Sequence, residues 1–119
     1  MTKQKTAGLT RIIKAYGYSR AGIMSAWKHE AAFRQECFAL AVLSPSALFL
    51  GQNGIERAAL ISSLMVVIVT ELLNSALETV VDRMGVDYHP MSGRAKDMGS
   101  AAVLVSIALA AMVWALILV

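Results

Sequence analysis

From Met98 to Val119 the chain runs for 22 residues without a charged side chain. As a helix, at about 1.5 Å per residue, that stretch crosses a hydrocarbon layer of roughly 30 Å. A second apolar stretch runs from Ala58 to about Val81, but it is uniform only as far as Val69; Thr70, Glu71, Asn74, Ser75 and Glu78 then enter it. A third, Cys37 to Leu50, has 14 residues. That is about 21 Å of helix, so it must recruit Phe33 and let Arg34 and Glu36 snorkel toward the headgroups. Pro45, between Ser44 and Ser46, is expected to kink this span or end it. Ahead of the spans, Leu9, Ile12, Ile13 and Tyr16 recur at helical spacing. Gly17, Tyr18 and Ser19 interrupt, and Ile23, Trp27 and Ala31 resume the stripe beside basic residues. The pattern predicts a single all-α membrane domain over 1–119. It has one or two amphipathic surface helices in the interfacial region 1–30 and transmembrane helices at 31–52, 56–82 and 96–119.

Composition agrees with this reading. The chain is 57% hydrophobic and 16% charged, against roughly half and a quarter in soluble domains. Its 119 residues leave room for one domain and exclude a large soluble catalytic unit. Cys37 stands alone, which excludes an intrachain disulfide. Lys14, Arg20, Lys28 and Glu30 break up any signal-peptide core, so the start is expected to be mature protein.

The net charge of +3 is concentrated: residues 1–36 hold seven basic groups and two acids, while residues 82–97 cancel. With three spans, ten of the eleven Lys and Arg side chains fall on one side. The positive-inside rule makes that side cytoplasmic. A two-span alternative would divide the two basic segments between the two sides. The basic segment leads into apolar helices, which suits an anionic membrane surface and not a nucleic acid.

Carboxylates inside an apolar helix are costly and mark functional sites. At 100° per residue, Glu71, Asn74, Ser75, Glu78 and Asp82 form one polar stripe. Asp82 is at its aqueous end, Glu78 about 6 Å deeper and Glu71 about 16 Å deeper. Glu71 and Glu78, about 10 Å apart, are too distant to share a proton and must do different jobs. The deeper suits a general base, and the shallower can stay ionised and hold Mg²⁺. The alternative is a stripe that merely joins helices. The following loop, DRMGVDYHPMSGRAKD, offers Arg94 and Lys96 to phosphates and Asp97 to a metal or a ribose. Its alternative role is a solvated anchor in which Ser92 or Asp97 caps the next helix. Glu30, beside Trp27, is open between snorkelling and metal binding. His29 and His89 lack ligand spacing, and no Walker A or kinase Gly-rich pattern occurs.

Four stretches, TRIIKAYGYS, AWKHEAAFRQE, ELLNSALETVVDR and YHPMSGRAKDMGSAAVL, give the chain a close resemblance to the small integral-membrane diacylglycerol kinases of Gram-negative bacteria. It covers nearly the whole length and weakens between Phe38 and Glu56; Pro90 stands where the family has another residue. The shape of the first span and the loop path are therefore where this chain is expected to differ. The resemblance implies a homotrimer with active sites shared between neighbouring subunits. It implies transfer of the γ-phosphoryl of MgATP to diacylglycerol, giving phosphatidic acid and ADP.

By motif, Glu71 resembles the catalytic base and Asn74 an active-site amide, while Glu30 and Glu78 resemble metal-binding carboxylates shared with the nucleotide. Arg11, Tyr18, Asp87, Tyr88, His89, Lys96 and Asp97 look like further nucleotide contacts. Lipid contacts would fall at Arg11; at Ala15, Tyr16, Gly17, Tyr18, Ser19 and Arg20; at Met24, Ser25, Ala26 and Trp27; at Ala32, Phe33, Arg34, Gln35 and Glu36; and at Arg57, Glu71 and Ser100. The last turns of the third span would add apolar surface.

Two other activities stay open at this point. Undecaprenol kinase is the activity of Gram-positive relatives. A proton-coupled small multidrug transporter has about this length, although such proteins carry their glutamate in the first of four spans. Independently of the resemblance, three helices from one chain cannot surround two carboxylates and exclude lipid, which favours an oligomer. Ala102, Ser106 and Ala110, spaced by four, allow close helix approach.

Overall fold

The computed structural model describes residues 8–85 and 88–119, so Lys3, Lys5 and Asp87 lie outside the described residues. The described chain is four helices: α1 (Leu9–His29), α2 (Ala31–Leu50), α3 (Gly54–Arg83) and α4 (Pro90–Leu118). Among them, α3 and α4 are long and apolar enough to cross a membrane. Helix α2 has 20 residues, but Arg34 and Glu36 lie in its first turns. With extents of 52 × 43 × 21 Å the chain is a slab about two helix diameters thick. Its interior is thin and its apolar surface large: Phe49 is 89% exposed and Leu116 75%, as suits a lipid-facing or subunit-facing protein.

Local sequence explains the breaks between helices. At Glu30 a single residue leaves helical geometry (φ −118°, ψ 107°), ending α1 and starting α2. The Arg34 guanidinium reaches back to the Trp27 and Lys28 carbonyls, the former at 2.6 Å, and satisfies the end of α1. Ala26, Phe33 and Ile68 bury together beneath the bend. Gly51 ends α2, and Asn53 caps α3 by accepting the Glu56 N–H at 2.9 Å. Gly85, at φ 137°, occupies backbone space open to glycine and begins the turn into α4.

Two expectations left open are decided, and two change. The stripe break at Gly17, Tyr18 and Ser19 does not divide α1, which runs unbroken through it; one helical glycine costs about 1 kcal/mol, too little to end a helix. Pro45 does not end α2, which continues to Leu50, and the Ser46 hydroxyl donates to the Val42 carbonyl at 3.3 Å beside it. The cap of α4 is neither Ser92 nor Asp97 but His89, whose Nδ1 accepts the Met91 N–H at 3.1 Å. Helix α4 consequently starts at Pro90, with Arg94, Lys96 and Asp97 already helical. Proline suits that first turn, where its missing N–H would find no helical partner.

Helices α3 and α4 form the main packed pair, α2 lies against α3, and α1 touches the rest chiefly near its C-terminus. The α3–α4 register is antiparallel. Lys96 Nζ meets Asp82 Oδ1 at 2.9 Å, Gly99 meets Asn74, and Trp114 Nε1 donates to the Leu60 carbonyl at 3.1 Å.

Candidate active site

The polar stripe of α3 meets α4 on one flank and the α1–α2 bend on the other. Glu30, Ala32, Glu71, Asn74, Glu78 and Ser100 line one open cavity of about 330 Å³, closed at its deep end by Val103, Leu104 and Ile107. Residues from three parts of the sequence thus converge within one chain. Glu71 is 5% exposed and accepts a hydrogen bond from Ser75 Oγ at 3.1 Å, one helical turn on. Asn74 Oδ1 is buried against α4 without a hydrogen-bond partner. At the shallow end, Lys96 pairs with Asp82 and lies within the field of Glu78.

Glu36 departs from its expected placement. It does not snorkel outward: it is half-buried and its carboxyl lies beside that of Glu71, with Oε1 buried and unpartnered. The signal was available in the spacing. Glu36 and Leu40 follow the buried Phe33 at i+3 and i+7, on the face that α2 turns to α3. Glu36 also borders a second cavity of about 300 Å³ between α2, α3 and α4, lined by Leu40, Leu43, Leu64, Val67, Ile107 and Trp114 among others.

A wider cleft of about 840 Å³ separates α1 from α3. It is lined on α1 by Ser19, Gly22, Ile23, Ser25 and Ala26, at the bend by His29 and Glu30, and on α3 by Leu72, Ser75, Ala76 and Thr79. Arg11, Ala15, Tyr16, Gly17, Tyr18, Arg20, Met24 and Trp27 are exposed along α1. Arg11 lies about 28 Å along the helix axis from Glu30. Phe33 is buried in the core, Arg34 caps α1, and Gln35 is exposed. Arg57 donates through Nε to the Gly51 carbonyl at 3.2 Å, about 21 Å along α3 from Glu71. Tyr88, His89 and Asp97 are exposed around the α3–α4 turn.

Among the described residues no three His, Cys, Asp or Glu side chains cluster as a self-sufficient metal site. Glu30 and Glu78 nevertheless open into the same cavity. Two carboxylates, with the remaining positions left to phosphate oxygens and water, are the donor set on which Mg²⁺ is held in phosphoryl-transfer sites, so these residues fit that ion.

Fold and site together define a helical membrane protein with a carboxylate cavity at the junction of a surface helix and an apolar helical bundle. Comparison with known proteins narrows the class. The profile described as prokaryotic diacylglycerol kinase matches residues 17–118. The diacylglycerol kinase of Escherichia coli (strain K12) is 55% identical over 113 residues, covering 95% of this chain and 93% of its own. That of Haemophilus influenzae is 51% identical, covering 92% and 93%, and that of Pseudomonas aeruginosa 47%, covering 93% and 90%. The chain belongs to the prokaryotic diacylglycerol kinase family.

Proposed function

We propose that the protein transfers the γ-phosphoryl of ATP to the free hydroxyl of diacylglycerol, producing phosphatidic acid and ADP. The observation that carries the reading is the convergence of Glu30, Glu71, Asn74, Glu78 and Ser100 on one cavity. Family membership supplies the reaction. Glu71, the deeper carboxylate, accepts the proton of a lipid hydroxyl arriving from the bilayer, and the Ser75 hydroxyl fixes its orientation. The Asn74 amide helps position the reacting groups. Glu30 and Glu78 would hold Mg²⁺ nearer the aqueous end, and the ion would supply charge neutralisation for the nucleotide phosphates there. Lys96 and Asp97 from the first turns of α4 meet the nucleotide, together with Asp87, Tyr88 and His89, which precede it in sequence. Phosphoryl transfer needs in-line placement and charge neutralisation more than elaborate covalent machinery, which a small bundle supplies. The apolar cavity beside Glu36 offers a place for an acyl chain.

The working form is a homotrimer in the bacterial inner membrane. Each chain spans three times through α2, α3 and α4, with the N-terminus and the α3–α4 turn cytoplasmic and α1 on the cytoplasmic leaflet. A slab 21 Å thick buries Glu71 but leaves Glu30 and Glu78 partly exposed in an open cavity. Arg11 and Tyr18, too far along α1 to reach their own chain's cavity, serve a neighbour's.

The test is the purified protein in mixed micelles with MgATP and either diacylglycerol or undecaprenol, scoring phosphorylated lipid. Phosphatidic acid is expected as the main product, and preference for undecaprenol would overturn the assignment of substrate. Glu71→Gln is expected to keep the fold and abolish phosphorylation of either lipid. Wild-type turnover in that variant would remove Glu71 as the base.

A further inference from the structure

Asn74 is held in the cavity wall by a contact that the sequence stripe does not reveal. Its Oδ1 is buried and makes no hydrogen bond, so no polar partner fixes the amide. What lies against it is the backbone of α4 at Gly99, itself buried. A Cβ added at Gly99 would collide with Asn74 Oδ1 and stand 3.2 Å from its Cγ, whereas the next neighbour, Leu77 Cδ2, is at an ordinary 3.7 Å. The obstruction is therefore directed at one side chain. Rotamers of a helical side chain are few, so an amide pushed off α4 must leave this orientation, and the cavity is the open space beside it.

We infer that Gly99 is a positioning residue of the reaction: its missing side chain forms the notch that seats the Asn74 amide beside Glu71 and Glu78. The inference rests on the proposed role of Asn74 in phosphoryl transfer. It also accounts for the placement of Gly99 directly before Ser100, which lines the same cavity. The notch and the cavity wall are formed by consecutive residues of one helix turn.

The experiment is a double-variant cycle in mixed micelles with MgATP and diacylglycerol. It uses Gly99→Ala, Asn74→Ala, the pair together, and Gly54→Ala as the control for replacing a glycine that has open space around it. Gly99→Ala is expected to lower kcat on the order of 10–100-fold, the scale on which misplacement by about 1 Å acts. Its KM values and thermal midpoint should stay near those of the wild type. In the Asn74→Ala background, where the clashing group is gone, Gly99→Ala should add no further loss. Wild-type turnover of Gly99→Ala, or losses that multiply in the pair, would overturn the inference while leaving Asn74 in its role. Full activity of Asn74→Ala would instead remove that role and the inference with it. Should Gly99→Ala alone prove unstable, the pair must recover the fold, because the clash lies beyond the Asn74 Cβ; an unstable pair counts against the notch.

Discussion

Glu71 receives the Ser75 hydroxyl on one side and faces the Glu36 carboxyl on the other. A base so placed has its orientation set by one hydrogen bond from its own helix, and the i, i+4 spacing of the two residues makes that bond a local consequence of sequence. Ser75→Ala should therefore lower kcat about tenfold, through looser orientation of the base, and cost about 1 kcal/mol of stability for the lost bond. Steady-state kinetics beside thermal unfolding of the same sample check both figures, and a change in KM alone would speak against an orienting role. The stripe from Glu71 to Asp82 is legible in the sequence alone, because helical geometry fixes which side chains share a face. Glu36 is legible only in part: its spacing from Phe33 puts the two on one face of α2, but only the packing of Phe33 and Leu40 against α3 turns that face, and with it a charge expected to point outward, toward Glu71.

Among the elements, α2 departs most from what local chemistry favours. Pro45 stands inside it, so the Ala41 carbonyl four residues earlier has no N–H to accept. In water such a proline costs about 3 kcal/mol, and in a bundle neighbouring groups recover part of that. Pro45→Ala should stabilise the protein by about 1–3 kcal/mol, read as a higher midpoint of thermal unfolding in micelles. A lower midpoint would mean that the proline shapes a contact α2 needs. The opposite case is Pro90, at the first turn of α4, where its geometry is favourable. The outcome differs because Pro45 lies within a helix braced by α3 while Pro90 lies at a helix start.

For the whole molecule, the decisive facts are thickness and reach. A chain 21 Å thick with a half-open cavity has a helix extending about 28 Å beyond Glu30, which carries Arg11 away from its own chain's cavity. If sites are shared between chains, co-assembly of Arg11→Ala chains with Glu71→Gln chains regains part of the activity that each variant lacks alone. Measured against separately assembled controls, no recovery would put Arg11 and Glu71 in the same site of one chain. The exposed apolar faces of α3 and α4 leave ample surface for such assembly.

By itself the sequence determined that the chain is helical, apolar enough for a membrane, and equipped with a polar stripe whose depth is graded. Those properties follow from hydrophobic spacing and the fixed rise and turn of a helix. Only the tertiary structure decided which stripes meet: that Glu30 at the bend opens onto the same cavity as Glu71 and Glu78, that Glu36 turns inward, and that Gly99 seats Asn74. The reason is physical. Contacts between helices depend on register and on how closely two backbones approach, and a missing side chain such as that of Gly99 leaves no hydrophobic or charged signal from which to read its partner.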